Sequence, residues 1–481
     1  MTDAPPILLW FRRDLRLSDH PALHEAAGTG RPVIPVFLLD EGVQALGAAP
    51  MMRVGMAAEA LARSLAGLGG RLTFRRGPAA EALAALARET GAGAVWWTRH
   101  HDPVSRGTDR SVTEALKGQG VELRAFPGQL LHDPDALRTG TGNPFRVYTP
   151  FRRALMRTDP GEPLPTPSRL AAPERWPTTD ALADWRLDGL MNRGAVVVAA
   201  WQRPGEAGAR ERLDRFVAER LDAYAEARDF PGRDGSSRLS ENLTVGEISP
   251  RTLWSIGREA LDHGSPGAER FLGEVAWRDF CYHLLWHEPR IAEEHWKPGF
   301  TGFPWLREGP LADAWTRGMT GIPFVDAGIR EMWVTGRMNN RARMIAASLL
   351  TKQMLTDWRL GQAVFADCLT DWDPANNAVN WQWVAGSGPD ASPFFRIYNP
   401  ATQARDYDPE GAYVRAWIAE GQGSPPPTAL DFFLAVPRSW GLSPDRSYPE
   451  PVIDLKQTRE EALAAFRARV RDREGQTAEG A

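Results

Sequence analysis

The chain of 481 residues has an ordinary globular composition, with 43% hydrophobic and 25% charged residues, so it is long enough for two or three domains with ample cores. Its two cysteines, Cys281 and Cys368, exclude a disulfide framework, a four-cysteine zinc site and an iron–sulfur cluster. The formal net charge of −4 argues mildly against nucleic-acid binding but allows a local basic face.

The first residues, MTDAPPILLWFRRD, contain two prolines and a short apolar run that ends before Arg12. This pattern fits neither a signal peptide nor a membrane span. We therefore expect a cytoplasmic protein without a membrane partner.

Short apolar segments bounded by glycine, proline or charge predict five strands: Ile7–Phe11, Val33–Leu39, Leu72–Arg75, Ala94–Thr98 and Val121–Ala125. Between them lie helical segments, one capped by Ser18 and ending near Gly28, and others spanning Met52–Leu68 and Pro78–Thr90. Strands that alternate with helices predict a doubly wound parallel sheet, and so an α/β N-terminal domain over residues 1–132.

Residues 133–205 are rich in proline and polar side chains, which predicts a long interdomain linker. From 206 to 481 the pattern predicts an all-α domain large enough to enclose a cofactor. Its expected helices are Ala209–Arg228, Pro250–His263, Ala268–His287, Asp326–Val334, Arg341–Leu355 and a last one after Gln457.

Two histidine motifs leave alternatives open. His100, His101 and Asp102 follow the fourth strand at the ligand-binding edge of a parallel sheet, where a bound chromophore or nucleotide and a solvated loop are about equally expected. His283 and His287 lie four residues apart on one helix and could ligate a metal. No further ligand motif stands out, and aromatic helices often bury such histidines, so we predict no metal site.

The segment Gly235–Ser240 brings three hydroxyls and a guanidinium to a loop that enters a helix. Such a loop can hold a pyrophosphate, or it can serve as an ordinary cap. On the helix that follows, Glu274, Trp277 and Arg278 share one face. They suit a flipped nucleobase, although an intrahelical ion pair beside a packed tryptophan is the simpler interpretation.

The segment 371–400 combines carboxylates, amides and indoles. Asp371 and Asp373 invite a general acid–base interpretation. Because Asn376–Asn377, Trp381 and Trp383 follow closely, a polar-rimmed aromatic pocket for a planar heterocycle fits better. Upstream, Asn340–Met344 places two arginines before an apolar helix, which predicts a helix start on a polar cavity or an ordinary capped helix.

With these motifs in order, nearly the whole chain resembles the photolyase/cryptochrome flavoprotein family, and in motif content the bacterial cyclobutane pyrimidine dimer photolyases. The motifs that carry the resemblance are Trp10–Leu17, Thr149–Phe151, Arg228–Pro231, Ser236–Ser240, Trp277–Arg278, Asn340–Met344 and 371–400. Three positions depart from the usual family pattern: Cys281, Arg337 and Asn339.

The resemblance implies a bound FAD that is active in its reduced form. The residues implied to hold it are Tyr224, Ser236, Ser237, Arg238, Leu239, Ser240, Phe271, Arg278, Asn340, Arg343, Asp371, Asp373 and Asn377. Arg343 and Asp371 would pair beside the isoalloxazine, Asp373 would meet its polar edge, and Asn377 would face its N5 atom. The resemblance also allows an antenna chromophore, whose identity the sequence leaves open.

The implied activity is light-dependent DNA repair, in which reduced FAD gives an electron to a flipped-out cyclobutane dimer and splits it. The implied catalytic residues are Trp305, Trp358 and Trp381, as an electron route, with Asn377 and Glu274. The implied contacts to UV-damaged DNA are Arg228, Glu274, Trp277, Arg278, Asn340, Arg341, Met344, Trp383 and Arg396.

Met344 favours the cyclobutane dimer, because the branch of the family that repairs (6-4) photoproducts has a histidine there. The alternative is a cryptochrome-type blue-light receptor with little or no repair. We expect a monomer without an obligate protein partner.

Overall fold

The structure, a computed structural model, describes residues 4–390, 394 and 396–479. Its sheet has five parallel strands in the order β3-β2-β1-β4-β5. The strands are β1 (Ile7–Phe11), β2 (Val33–Leu39), β3 (Thr73–Arg76), β4 (Ala94–Thr98) and β5 (Glu122–Phe126). This confirms the predicted α/β sheet. Three strands have the predicted bounds, and β3 and β5 begin and end one residue later than expected.

The sheet reverses its winding direction between β1 and β4. Ile7 of β1 is paired with Val33 on one side and with Ala94 on the other. The central strands are continuous apolar runs because both faces of the sheet are covered by helices. Loops that leave the carboxyl ends of β1 and β4 therefore border the crevice where ligands of such sheets bind.

The described residues also form 21 α-helices. They are α1 (Pro21–Gly28), α2 (Glu41–Gln44), α3 (Ala48–Ala66), α4 (Ala79–Thr90), α5 (Pro103–Leu116), α6 (Tyr148–Leu155), α7 (Gly194–Ala199), α8 (Gly205–Glu219), α9 (Tyr224–Ala227), α10 (Ser240–Thr244), α11 (Pro250–Asp262), α12 (Ala268–His287), α13 (Pro310–Thr316), α14 (Pro323–Thr335), α15 (Asn340–Ser348), α16 (Trp358–Cys368), α17 (Pro374–Ala385), α18 (Pro400–Tyr407), α19 (Ala412–Trp417), α20 (Pro427–Ala435) and α21 (Leu455–Glu479). No helix of this described part is long and apolar enough to cross a membrane.

Three helix predictions need correction. His20, and not Ser18, caps α1, because its Nδ1 accepts the Leu23 N–H at 3.1 Å. The helix predicted over Ala209–Arg228 breaks after α8 and resumes as α9. The helix predicted over Arg341–Leu355 changes at the end of α15 into a π-helical turn, Leu349–Gln353.

The chain divides into two compact units that alternate along the sequence. The first unit comprises Met1–Leu190, Arg203–Ala225 and Ser237–Pro289, and the second comprises Met191–Gln202, Glu226–Ser236 and Arg290–Ala481. The first unit contains the sheet, and the second contains a helical core around Trp315, Trp358 and Trp381. The segment predicted as a linker includes α6 and α7. The domain boundaries at residues 132 and 205 stay a prediction.

Candidate functional site

Tyr224 and Phe271, both expected at the cofactor, lie in an aromatic cluster of the first unit. Tyr224 is buried, and its ring meets that of Phe216 edge-on at 5.2 Å between centroids. Phe216 in turn contacts Phe271 at 5.1 Å. In the turn after α8, Leu221 approaches Gly267 so closely that a Cβ on this glycine would lie 1.7 Å from the Leu221 carbonyl oxygen. This turn fixes the phenol of Tyr224 at the start of α9.

The hydroxyl-rich segment leads into α10 as predicted. Arg238 has a left-handed backbone with φ of 54°, and its carbonyl accepts a hydrogen bond from Arg212 Nη1 at 3.1 Å. Leu239 is buried, whereas Ser240 at the start of α10 is exposed. Ser237 accepts the Leu239 N–H at 3.4 Å. The segment is therefore locally ordered by its own contacts, and a phosphate-binding role for Ser236–Ser240 stays a prediction.

Glu274 and Trp277 share a face of α12, as predicted. Glu274 forms an intrahelical ion pair at 3.4 Å, but with Arg270 and not with Arg278, the arginine considered in the simpler interpretation. Trp277 is half-buried, and Tyr148 meets its ring at 4.7 Å between centroids with an interplanar angle of 64°. Tyr148 Oη also donates to the Gly273 carbonyl at 2.6 Å, which fixes the tyrosine that supports Trp277.

Arg278 is not a surface cation. It is 9% exposed, its Nη1 donates to the Gln129 carbonyl at 2.9 Å, and its guanidinium lies 5.1 Å from the Tyr282 ring centroid. A guanidinium held in this way is poorly placed for a DNA phosphate. Cys281, one of the three departures from the family pattern, is fully buried in the same helix.

Arg343 and Asp371 of the second unit form the pair that was expected beside an isoalloxazine. Arg343 Nη2 lies 2.9 and 2.8 Å from the two carboxylate oxygens, and Nε donates to the Met338 carbonyl at 2.8 Å. The Asp371 side chain is 6% exposed and that of Arg343 is 26% exposed. A charge-assisted contact at this depth holds both groups in one geometry.

Asp373 and Asn377 are positioned by the start of α17. Asp373 caps this helix, because its Oδ1 accepts the N–H groups of Ala375 and Asn376 at 3.1 and 2.9 Å. Asn377 Nδ2 donates to the Gln362 carbonyl at 2.9 Å. Within the described residues, the Asn377 Oδ1 has no hydrogen-bond partner, so this amide presents an acceptor. An amide acceptor fits the edge of a flavin, whose reduced N5 carries a hydrogen.

Trp381 is held on α17 by aromatic contacts and by a close helix approach. Its ring meets those of Phe365 and Trp315 at 4.9 and 5.9 Å between centroids. Gly361 of α16 faces the indole directly, since a Cβ on this glycine would lie 2.1 Å from Trp381 Cη2. The absence of a side chain at Gly361 therefore sets where Trp381 can sit.

Gly361→Ala is expected to destabilise the protein by about 1–3 kcal/mol, because the added methyl group overpacks the contact with Trp381. Urea unfolding of the two proteins measures this change. Gly302→Ala is the matched control, because its added Cβ meets no atom within 4 Å. Equal stability of Gly361→Ala and the parent would show that Trp381 can move freely.

Trp358 and Trp305 are joined by a residue that sequence reasoning missed. Trp358 is fully buried and its Nε1–H donates to His295 Nδ1 at 3.1 Å. The imidazole lies nearly parallel to Trp305, with an interplanar angle of 15° and 6.1 Å between ring centroids. No sequence pattern marks His295, since it stands in an irregular segment 63 positions before its partner.

The motif at the start of α15 is a capped helix start, one of its two predicted alternatives. Asn339 caps the helix by accepting the Arg341 N–H at 2.8 Å, and its Nδ2 donates to the Arg228 carbonyl at 3.1 Å. This accounts for the asparagine that departs from the family pattern. Asn340 is exposed, and its Nδ2 lies 3.6 Å from the sulfur of Met344.

The arginines expected at DNA differ in their surroundings. Arg228 is buried, at 6% exposure, which does not favour a phosphate contact. Arg341 pairs with Asp229 at 2.6 Å and stacks over Tyr407 at 4.1 Å. Arg396 is exposed, and its carbonyl accepts a hydrogen bond from Lys352 Nζ at 2.8 Å.

Burial, together with the nearby charges of Arg396 and Lys297, lowers the pKa of Lys352 to about 7. Trp383, expected at the lesion, is half-buried against the helical core of the second unit.

The residues after β4 do not form a solvated loop. His100, His101 and Asp102 are all at least 95% buried. Burial holds the pKa of His100 well below its usual value and lowers that of His101 to about 4, despite a hydrogen bond of His101 to Gln129. Burial would raise the pKa of Asp102, but Arg13 at 2.6 Å, the hydrogen bonds from Ser105 and the charge of Arg12 together outweigh it and lower this pKa.

Comparisons with known proteins find relatives over nearly the whole chain. The family model described as DNA photolyase matches residues 7–168, and the model of the FAD binding domain of DNA photolyase matches 271–468. The chain is 44% identical over 475 residues to a deoxyribodipyrimidine photo-lyase of Agrobacterium fabrum, covering 96% of this chain and 98% of the relative.

Two solved structures have the same fold over almost the whole chain. A class III photolyase from Agrobacterium tumefaciens superposes with a TM-score of 0.90 at 43% identity, covering 98% of this chain and 99% of the other. A Synechocystis cryptochrome gives a TM-score of 0.83 at 28% identity, covering 97% and 100%. The family models, the full-length identity and the shared fold together show that this chain belongs to the DNA photolyase family.

Proposed function

We propose that the protein is a light-dependent DNA repair enzyme, a deoxyribodipyrimidine photo-lyase that splits cyclobutane pyrimidine dimers. The observation that carries the proposal is the Arg343–Asp371 pair followed by Asn377 with an available amide oxygen. This set supplies fixed polar groups for a flavin, in a chain that aligns end to end with photo-lyases.

Bound FAD supplies the light-driven electron. The chain's own residues bind and orient this cofactor. The Arg343–Asp371 pair fixes a charge-balanced surface beside it, and Asn377 offers an acceptor to a flavin N–H. Tyr224, Phe271 and the hydroxyls of Ser236–Ser240 are further proposed contacts of the cofactor.

The lesion would be held by stacking and hydrogen bonds. Trp277 and Trp383 are half-buried indoles, and each offers a face on which a base can stack. Glu274 and Asn340 are the proposed hydrogen-bond partners of the bases, and Met344 supports the cyclobutane dimer as substrate. Among the arginines, the exposed Arg396 and the half-buried Arg341 are the better candidates for phosphate contacts, so Arg228 and Arg278 are left out.

Trp381, Trp358 and Trp305 are the proposed electron route by which the oxidised cofactor becomes reduced in light. Trp381 and Trp358 lie in one buried aromatic core, and Trp305 packs against it from a partly buried position. Indoles in such a series can lose electrons in turn while remaining in place.

The direct test is an oligonucleotide with one cyclobutane dimer, incubated with reduced enzyme in blue light and in the dark. Repair is expected only in light, and an oligonucleotide with a (6-4) photoproduct should stay unrepaired. Dimers that persist in light would reject the repair function and favour the cryptochrome alternative, whose fold this chain shares.

The buried cluster His100–Asp102 at the edge of the sheet lies where a second chromophore could bind, and its identity stays open. We also propose that the enzyme acts as a cytoplasmic monomer without an obligate protein partner, because a single lesion needs one flavin. Light scattering of the purified protein, with and without DNA, measures its mass. An absorption spectrum shows the flavin and any further chromophore.

A further inference from the structure

His295 contacts both outer indoles of the proposed electron route. Its Nδ1 accepts the Nε1–H of Trp358 at 3.1 Å, and its ring is nearly parallel to that of Trp305. The centroid of the imidazole lies 6.1 Å from each of the two indole rings. Trp358 is fully buried, so this hydrogen bond satisfies an indole N–H that water does not reach.

We propose that His295 is a positioning residue of this route: its Nδ1 stabilises the positive charge that Trp358 carries after it gives an electron to oxidised Trp381. The inference rests on the proposed function, because it requires a bound flavin that takes electrons from Trp381.

The electrons balance over the three indoles. Trp358 gives one electron to oxidised Trp381 and becomes a radical cation, and it then receives one electron from Trp305. Trp358 ends unchanged, the positive charge lies on Trp305, and an external thiol returns the last electron. An oxidised indole is a much stronger N–H donor, so an acceptor at Nε1 stabilises the charged form more than the neutral one. The proton stays between Nε1 and His295 Nδ1, and no bond to it breaks.

The acceptor is available because the imidazole is neutral. Burial, together with Arg359 and Arg469, lowers the pKa of His295 to about 4 although Asp357 acts to raise it. Above that pKa the Nδ1 keeps its lone pair. The Arg359 guanidinium also lies 4.8 Å from the Trp358 ring centroid, where it opposes positive charge on the indole. The Asp357 carboxylate lies 2.9 Å from the Arg359 guanidinium and offsets part of its positive charge. His295 supplies the stabilising contact at the indole nitrogen itself.

Two substitutions distinguish the contribution of the Nδ1 acceptor from that of the aromatic ring. His295→Phe keeps an aromatic ring but removes the acceptor, and His295→Asn restores an acceptor near the Nδ1 position. The full-length enzyme with oxidised FAD is illuminated with a thiol present, and the loss of oxidised-flavin absorbance and the long-lived tryptophan radical are followed. We expect His295→Phe to lower both yields about tenfold and His295→Asn to stay within about twofold of the parent, as loss of one charge-assisted hydrogen bond implies.

His132→Phe is the matched control, because His132 is also half-buried and its Nε2 lies 2.6 Å from Thr158 Oγ1. It should photoreduce as the parent does. The proposal is wrong if His295→Phe matches the parent, and also if both His295 variants lose the same yield or lose FAD, since either loss indicates a packing role. Trp358→Phe in the same assay tests the route: unchanged photoreduction there rejects the route, whereas a loss there beside a normal His295→Phe rejects only the role of His295.

Discussion

Asp371→Ala is expected to give a protein that purifies with little FAD and unfolds at lower urea concentration. The substitution removes the carboxylate from the Arg343 guanidinium, in a place where the carboxylate is 6% exposed. Breaking a buried pair by deleting one partner costs about 3–5 kcal/mol, and the partial exposure of Arg343 places this case near the lower end. The remaining Nε contact to the Met338 carbonyl does not replace the lost charge.

The bound flavin is measured by absorbance per protein and the stability by urea unfolding. Glu294→Ala is the matched control, because its pair with Arg290 is exposed and such pairs contribute about 0–1 kcal/mol. The double variant Arg343→Gln/Asp371→Asn should recover part of the stability but not the flavin, since it removes both charges together. Full flavin content in Asp371→Ala would contradict the placement of this pair at the cofactor.

The bounds of β1, β2, β4 and α12 could be read from the sequence because each is a local pattern. The central strands of a parallel sheet are apolar runs with turns at both ends, and α12 is a long uninterrupted helix bounded by Gly267 and Pro289. Breaks inside helical patterns were not predictable. In the turn between α8 and α9, Leu221 contacts Gly267, 46 positions further on, and no local pattern encodes such a contact.

The candidate site likewise has features that could be predicted from the sequence and features that could not. Residue types and order were enough for a resemblance that named Arg343, Asp371 and Asn377, and the structure pairs the first two. The partners that orient side chains could not be predicted, because most are backbone carbonyls or distant residues. The carbonyl of Gln129 holds Arg278 inward, and His295 holds Trp358. In both cases the residue type could be read from the sequence, but the direction in which its side chain points could not.

Trp277→Ala is expected to weaken binding of dimer-containing DNA while the flavin stays bound. Stacking of a base on an aromatic side chain contributes about 1–3 kcal/mol, so the dissociation constant should rise about 5- to 150-fold. Trp277→Phe should retain most of the affinity, because the phenyl ring can still stack on a base while Tyr148 supports it edge-on. Affinity for undamaged DNA should not change, since phosphate contacts dominate it.

Binding is measured in the dark by fluorescence anisotropy with labelled oligonucleotides, with and without one cyclobutane dimer, over a range of salt concentrations. Trp286→Ala is the control on the same helix, where the indole contacts Arg106 and Asp135. The slope of affinity against salt should be the same for the parent and Trp277→Ala, because the number of phosphate contacts is the same. If Trp277→Ala loses its flavin, or binds damaged DNA as tightly as the parent, Trp277 does not stack on the lesion. A loss of affinity confined to damaged DNA is what separates a lesion contact from a general DNA contact.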